Sequence, residues 1–121
     1  MGPFGDGWTI ADVDAVIAKG DPHELLYVPI VASLSPPDIL WAEAICIRLS
    51  QHPNWNVRGN AILGFGHLSR VYPQLNLGVV KPLIEAALHD EHPYVRGQAS
   101  GAADDVEQFL GWKIEHSPVA Q

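Results

Sequence analysis

Apolar side chains recur along most of the chain at intervals of three and four residues, which is the spacing of one face of an α-helix. No segment shows a convincing alternation of apolar and polar residues, so we predict no strand. The pattern predicts about six helices: one that ends at about residue 19, a second over 22–34, a third that ends near residue 51, and three more over 57–72, 77–88 and 94–110.

Capping residues support several of these helices. Thr9 or Asp12 can cap the first helix, and Gly20 is suited to end it. The second helix has a capping aspartate, a proline at its first position and a glutamate in its first turn, in the order Asp21-Pro22-His23-Glu24. Pro29 falls inside this predicted helix and is expected to kink it.

One short motif occurs twice. The segments Val57-Arg58-Gly59-Asn60-Ala61 and Val95-Arg96-Gly97-Gln98-Ala99 share a Val-Arg-Gly-x-Ala core, and each follows a His-Pro pair. From position 57 to position 95 the period is 38 residues, which is typical of stacked supersecondary units. We therefore predict an all-α fold, a short right-handed α-solenoid of about three helical hairpins.

The 121 residues fit a single domain, and 47% hydrophobic against 17% charged residues is enough apolar surface for a packed core. Within that domain the repeat predicts five segments. They are an irregular arm at 1–9, an atypical helical pair at 10–34, repeats at 35–73 and 74–112, and a tail at 113–121.

The net charge is −7, which is a poor match for nucleic acid or an anionic membrane and a better match for a basic partner. Solubility alone explains the charge equally well. The chain has one cysteine, Cys46, and neither a signal peptide nor an apolar run long enough to span a membrane is recognised, so a cytoplasmic protein is expected.

A helix with an internal proline, a turn near His-Pro and a second helix that opens Val-Arg-x-x-Ala together resemble HEAT repeats, over residues 35–110. The resemblance implies a ladder in which the Asp before the turn pairs with the Arg of the second helix. Asp90 and Arg96 match those positions, and Arg58 is the corresponding arginine of the first copy. The residue that corresponds to Asp90 in the first copy is not acidic.

The stretches from Arg58 to His67 and from Val95 to Trp112 also resemble small bacterial HEAT-like immunity proteins, including those of contact-dependent growth inhibition systems. That resemblance implies a protein partner, a basic toxin domain such as a nuclease, with no cofactor and no catalysis by this chain. A generic HEAT scaffold remains an alternative, and a HEAT-like bilin lyase or DNA glycosylase is a further one.

A helical wheel predicts the face that would bind a partner. It is the side of the two motif helices opposite their apolar stripes, together with Trp112 after the second helix. Glycines on this side are expected to make room for the partner, unless a neighbouring helix packs there instead. The predicted residues are Gly59, Leu63, Gly66, His67 and Arg70 on the first helix and Gly97, Gly101, Asp104, Asp105 and Gln108 on the second.

No catalytic or metal-binding motif accompanies this face. Asp104 and Asp105 are adjacent on a helix and diverge by about 100°, so they predict a solvated or partner-facing patch and not a carboxylate pair. The six histidines lack zinc spacing, and no nucleophile motif occurs. Trp41 and Trp55 are equally consistent with an interface and with packing between repeats.

Overall fold

A computed structural model describes residues 1–116, and the last five residues of the predicted tail lie outside that range. The described residues form seven α-helices and no strand. In chain order the helices are α1 (Ile10–Lys19), α2 (Pro22–Leu25), α3 (Val28–Leu34), α4 (Ile39–Leu49), α5 (Trp55–Ser69), α6 (Leu77–Ala87) and α7 (Pro93–Leu110).

The helices build a short all-α solenoid in which α5 is central, since it packs against α2, α3, α4, α6 and α7. The starts of α5 and α7 meet where Gly59 lies against Tyr94. Their ends meet where Arg70 pairs with Asp105. The two helices therefore run parallel, and with α3 on the other side of α5 they form what we term the inner layer.

The predicted apolar stripes supply much of the core. On α7 the buried side chains recur at helical spacing, as predicted, because that face lies against α5 and α6. Two apolar residues that helical spacing places on the buried stripes of the fourth and fifth predicted helices, Val71 and Val79, are instead exposed. Val71 follows the end of α5, where helical periodicity no longer applies, and Val79 lies in the first turn of α6.

The predicted helix over 22–34 is two helices, so the expectation of one helix kinked at Pro29 was wrong. The chain breaks at Leu26 and Tyr27. Pro29 then occupies the second position of α3, where a missing backbone N–H needs no partner within the helix. Proline thus starts a helix here, whereas Pro82 lies inside α6.

The two turns before α5 and α7 repeat the same hydrogen bonds. Asn54 and His92 cap the two helices by accepting backbone N–H bonds from the first turn. Two residues earlier, the ring of His52 accepts from the amide of Asn54, as the carboxylate of Asp90 accepts from that of His92. The cap at Asn54 makes α5 begin at Trp55, so this tryptophan is helical and does not lie in the turn where the sequence placed it.

Each motif arginine fastens the turn that precedes its own helix. Arg58 donates from Nη1 to the carbonyls of His52 and Pro53, at 3.2 and 3.0 Å. Arg96 donates from Nη1 to the carbonyls of Asp90 and Glu91, at 2.7 and 3.1 Å. The two copies share this geometry, to which arginine is suited because it offers several donors in one plane.

The ion pair between the repeats joins Asp90 to Arg58, whereas the sequence suggested Arg96. Arg58 donates from Nε and Nη2 to the two carboxylate oxygens, at 2.8 and 2.9 Å. The side chains of Arg58 and Asp90 are only 16% and 15% exposed. These hydrogen bonds lower the pKa of Asp90, against a smaller opposing effect of burial. The acidic residue of one repeat therefore reaches back to the arginine of the repeat before it.

Candidate functional site

The carboxyl-terminal ends of α3, α5 and α7 meet at one edge of the inner layer, because the three helices are stacked in register. Side chains from all three surround Arg70 there. We term this set the helix-end cluster; its members are Leu34, His67, Arg70, Val71, Asp105 and Phe109.

Arg70 connects α5 to α7 in this cluster. One guanidinium nitrogen lies 3.2 and 3.3 Å from the two carboxylate oxygens of Asp105. The guanidinium carbon also lies 5.5 Å from the centre of the Phe109 ring, a cation–π contact. Since Arg70 is the C-cap of α5, its charge also complements the helix dipole. Asp105, which the sequence placed in a solvated or partner-facing patch, is thus paired with Arg70.

Three large apolar side chains in the cluster face solvent. Leu34, Val71 and Phe109 are 55%, 64% and 46% exposed. Leu34 and Val71 flank a groove of about 190 Å³ whose lining also includes Ser33, Pro36 and His67. Exposed apolar side chains that are grouped and bordered by charge are typical of surfaces that bind other proteins.

A hydrogen bond between Ser33 and His67 ties α3 to α5 beneath the groove. Ser33 Oγ lies 2.9 Å from His67 Nδ1 and 3.3 Å from the carbonyl oxygen of Ile30. Burial, followed by the nearby charge of Arg70, lowers the pKa of His67, while Asp105 acts in the opposite direction. The neutral form of the imidazole is therefore favoured. Ser33 is only 2% exposed, so its hydroxyl is a structural group and not an accessible nucleophile.

The lowered pKa of His67 predicts a pH-dependent stability. Because the unfolded chain binds the proton more readily, acidification from pH 7 through the ordinary histidine pKa of about 6.5 should cost stability. Replacing His67 with glutamine should reduce that loss. The measurement is the free energy of unfolding in urea at several pH values. Replacing the exposed His23 is the control, and an unchanged pH slope in the His67 variant would contradict the expectation.

The residues predicted to share one face divide into two surfaces. His67, Arg70 and Asp105 lie in the helix-end cluster, and Leu63 is half-buried earlier on α5. Trp112 is half-buried and packs against the core after α7. Apart from the buried Gly59 and Gly66, the remaining predicted residues are exposed on the outer side of α7; they are Gly97, Gly101, Asp104 and Gln108.

The glycines divide in the same way, and at two of them a neighbouring helix packs, which was the alternative to making room for a partner. A Cβ at Gly59 would lie 2.8 Å from the Tyr94 ring, and one at Gly66 would lie 2.6 Å from the Asp105 carboxylate and 3.3 Å from the backbone of Ala102. Both glycines therefore let α7 approach α5 closely. Nothing lies within 4 Å of a Cβ built at Gly97 or Gly101.

Sequence reasoning missed the apolar part of the cluster. Leu34 and Phe109 lie near the ends of their helices, and Val71 was assigned to the buried stripe. The only signal was that Phe109 lies off the apolar stripe of α7. The sequence did not decide between interface and packing roles for Trp41 and Trp55. Trp41 is half-buried, and its ring centroid lies 6.2 Å from that of Trp8. Trp55 is partly exposed and stacks on the His92 ring, with the ring centroids 4.2 Å apart.

Within residues 1–116, no group of three or more His, Cys, Asp or Glu side chains is arranged to hold a metal ion. None of the helices in this range is both long enough and apolar enough to cross a membrane.

Residues 44–72 match the family model for the HEAT repeat. The matched segment runs from α4 through the whole of α5 to the turn that follows, so it contains the first motif copy and half of the helix-end cluster. The match supports the HEAT-repeat family. No curated protein and no solved structure matches the chain.

Proposed function

We propose that this chain is a non-catalytic protein-binding module and that the helix-end cluster is its contact surface. A HEAT repeat suggests a binding or scaffold role. The observation that carries the proposal is the grouping of Leu34, Val71 and Phe109, three exposed apolar side chains contributed by three different helices. Burying these side chains against a partner would remove their apolar surface from water, which favours binding.

The cluster also has the features of a pre-organised contact. Arg70 is held by the carboxylate of Asp105 and the ring of Phe109, so little side-chain freedom remains to be lost on binding. The groove beside Leu34 and Val71 offers a recess for one apolar side chain of the partner. Arginine and aromatic residues are common among the side chains that dominate binding energies.

The contact surface can be tested by charge substitution at Val71. Val71→Asp should weaken the complex at least about tenfold, because an apolar contact is replaced by a charge that must lose water. Leu77→Asp is a matched control, since Leu77 is 50% exposed and lies at the start of α6. Affinity is measured by titration calorimetry on the co-purified complex. If both variants lost the same affinity, or if neither lost any, the cluster would be excluded as the contact surface.

More narrowly, we propose that the partner is a bacterial toxin domain that this chain neutralises as an immunity protein. The support is the resemblance of residues 58–67 and 95–112 to HEAT-like immunity proteins, together with the net charge of −7. A basic partner, such as a nuclease that must hold phosphates, would be attracted by that charge. Asp104 is the exposed acidic residue of the predicted set, because Asp105 is engaged by Arg70.

Co-expression with the product of the adjacent upstream gene, followed by mass spectrometry of the purified complex, tests the narrower proposal. A one-to-one complex that protects cells from that product, and that weakens as salt is raised, would support it. A stable complex with a harmless protein would favour the alternative, a scaffold. An affinity that does not change with salt concentration would show that charge attraction does not contribute to binding.

A further inference from the structure

Arg58 and Arg96 occupy the same place in the two repeats but differ in one respect. Both use Nη1 to fasten the turn before their own helix. Arg58 uses its Nε and Nη2 to hold the carboxylate of Asp90. The same two nitrogens of Arg96 have no acceptor within the described part of the chain. Arg96 therefore presents to solvent the two donors with which its counterpart binds a carboxylate.

The rest of the outer side of α7 is also uncovered. The glycine after each arginine shows the contrast, since α7 packs directly over Gly59, while the space above Gly97 is open. Gly101 is open as well. Asp104 is exposed and makes no hydrogen bond or ion pair to any of residues 1–116. We term this surface the α7 outer face; its residues are Arg96, Gly97, Gly101 and Asp104.

We propose that the α7 outer face binds the same face of a second copy of this chain, with the two α7 helices antiparallel and crossing near Gly97. Asp104 lies seven residues, about two helical turns, after Gly97 in α7, and the Arg96 guanidinium is held at the carbonyls of Asp90 and Glu91 in the turn before α7. In the antiparallel pair, the carboxylate of Asp104 in one copy therefore lies towards the start of α7 in the other, the end at which the Arg96 guanidinium is held. A two-fold axis forms this Arg96–Asp104 pair twice.

A second copy is the occupant that the face fits best, because its charges are self-complementary. Each copy supplies one unpaired guanidinium edge and one unpaired carboxylate, on either side of a glycine where the backbones can approach closely. Helix α7 has 18 residues and is about 27 Å long, so one helix pair buries an area at the low end for a specific interface. Each copy also carries a net charge of −7. We therefore expect a dimer that dissociates on dilution.

Self-association of the full chain is measured by sedimentation equilibrium at protein concentrations from micromolar to about 1 mM. Arg96→Asp places two carboxylates together in each pair, and Asp104→Arg places two guanidinium groups together. Each variant alone should raise the dissociation constant of the dimer at least about tenfold. An equimolar mixture of the two variants should restore dimerisation, because both pairs become oppositely charged. Circular dichroism confirms that each variant is folded, and recovery in the mixture separates lost affinity from misfolding.

A steric variant provides a second measurement. Gly97→Leu fills the crossing point without a clash inside one copy, since nothing lies within 4 Å of a Cβ there. It should abolish the dimer, while Gly78→Leu on α6 should leave the dimer unchanged. A chain that stays monomeric throughout, or single charge variants that dimerise as the parent does, would overturn the proposal. Neither result bears on binding by the helix-end cluster, so the two proposals fail separately.

Discussion

Replacing Gly64 with alanine is expected to destabilise the fold by about 1–3 kcal/mol, the usual cost of overpacking a core. A Cβ at this position would lie 2.7 Å from Cys46 Sγ and 3.3 Å from the Cβ of Ser33. Cys46 lies on α4 and Ser33 on α3, and both are buried. Since α3, α4 and α5 meet at this point, none of them can move without disturbing another contact, and the added methyl group outweighs the better helix propensity of alanine.

Urea unfolding measures the effect, with Gly101→Ala as the matched control. Both glycines lie within helices, but the space above Gly101 is open, so alanine there should stabilise the fold by about 0.5–1 kcal/mol. The opposite signs distinguish packing from helix propensity. If both variants gained stability, close packing at Gly64 would be excluded as the reason for the glycine.

Cys46 supplies an independent readout for the same pair of variants. Burial raises the pKa of its thiol to about 12, so in the folded protein the thiolate is scarce and shielded. Alkylation of Cys46 should therefore report opening of the core. Gly64→Ala should speed alkylation in native buffer, and Gly101→Ala should slow it.

Replacing Asp90 with alanine is expected to cost about 2–4 kcal/mol, because a largely buried ion pair with two charged hydrogen bonds is lost. Arg58 would keep its bonds to the turn carbonyls, but its Nε and Nη2 would lose their acceptor. The amide of His92 would also lose the carboxylate that accepts from it. Asp90 therefore adds a polar connection between the two repeats to the packing of α5 against α6 and α7.

Arg96→Ala is the control for this prediction, because Arg96 makes the equivalent turn bonds without a carboxylate partner in residues 1–116. Its effect, measured by urea unfolding at low protein concentration, should be clearly smaller than that of Arg58→Ala. A double-mutant cycle of Arg58→Ala with Asp90→Ala should be strongly non-additive. Additive effects would show that the pair contributes little.

The same pair makes stability depend on acid pH. The pKa of Asp90 is lower in the folded state than in the unfolded chain, so its contribution is complete above the ordinary value of about 3.9. It is lost as the pH falls through the lower, folded-state pKa. Asp90→Asn should therefore reduce the loss in the free energy of unfolding, measured in urea, as the pH is lowered. If the variant lost as much stability in acid as the parent chain, Asp90 would not be the source of this pH dependence.

Much of the fold could be predicted from local signals. The capping residue Asp21 and the stop glycine Gly20 act as the sequence indicated. They could be recognised because each acts within one helix turn. The break before Pro29 was missed because proline suits both a kink and a helix start, and the surrounding packing decides between them.

The candidate site was predictable only in part. The helical wheel placed His67, Arg70 and Asp105 on a partner-binding face, but it had no means of showing that Arg70 neutralises Asp105 across two helices. Leu34 was absent from the predicted set for the same reason. It lies more than thirty residues before Val71 and shares a groove with it only because α3 stacks against α5.

The sequence by itself determined the repeat, the helices and their buried stripes, because periodicity and capping are properties of neighbouring residues. Tertiary structure alone decided how equivalent positions are used. Gly59 and Gly97 follow the same arginine in the same motif, yet one is covered by α7 and the other is open. Arg58 and Arg96 differ in the same way. The repeat motif determines the local helix and turn geometry of each copy. Whether another helix packs against a given copy is determined by its position in the fold.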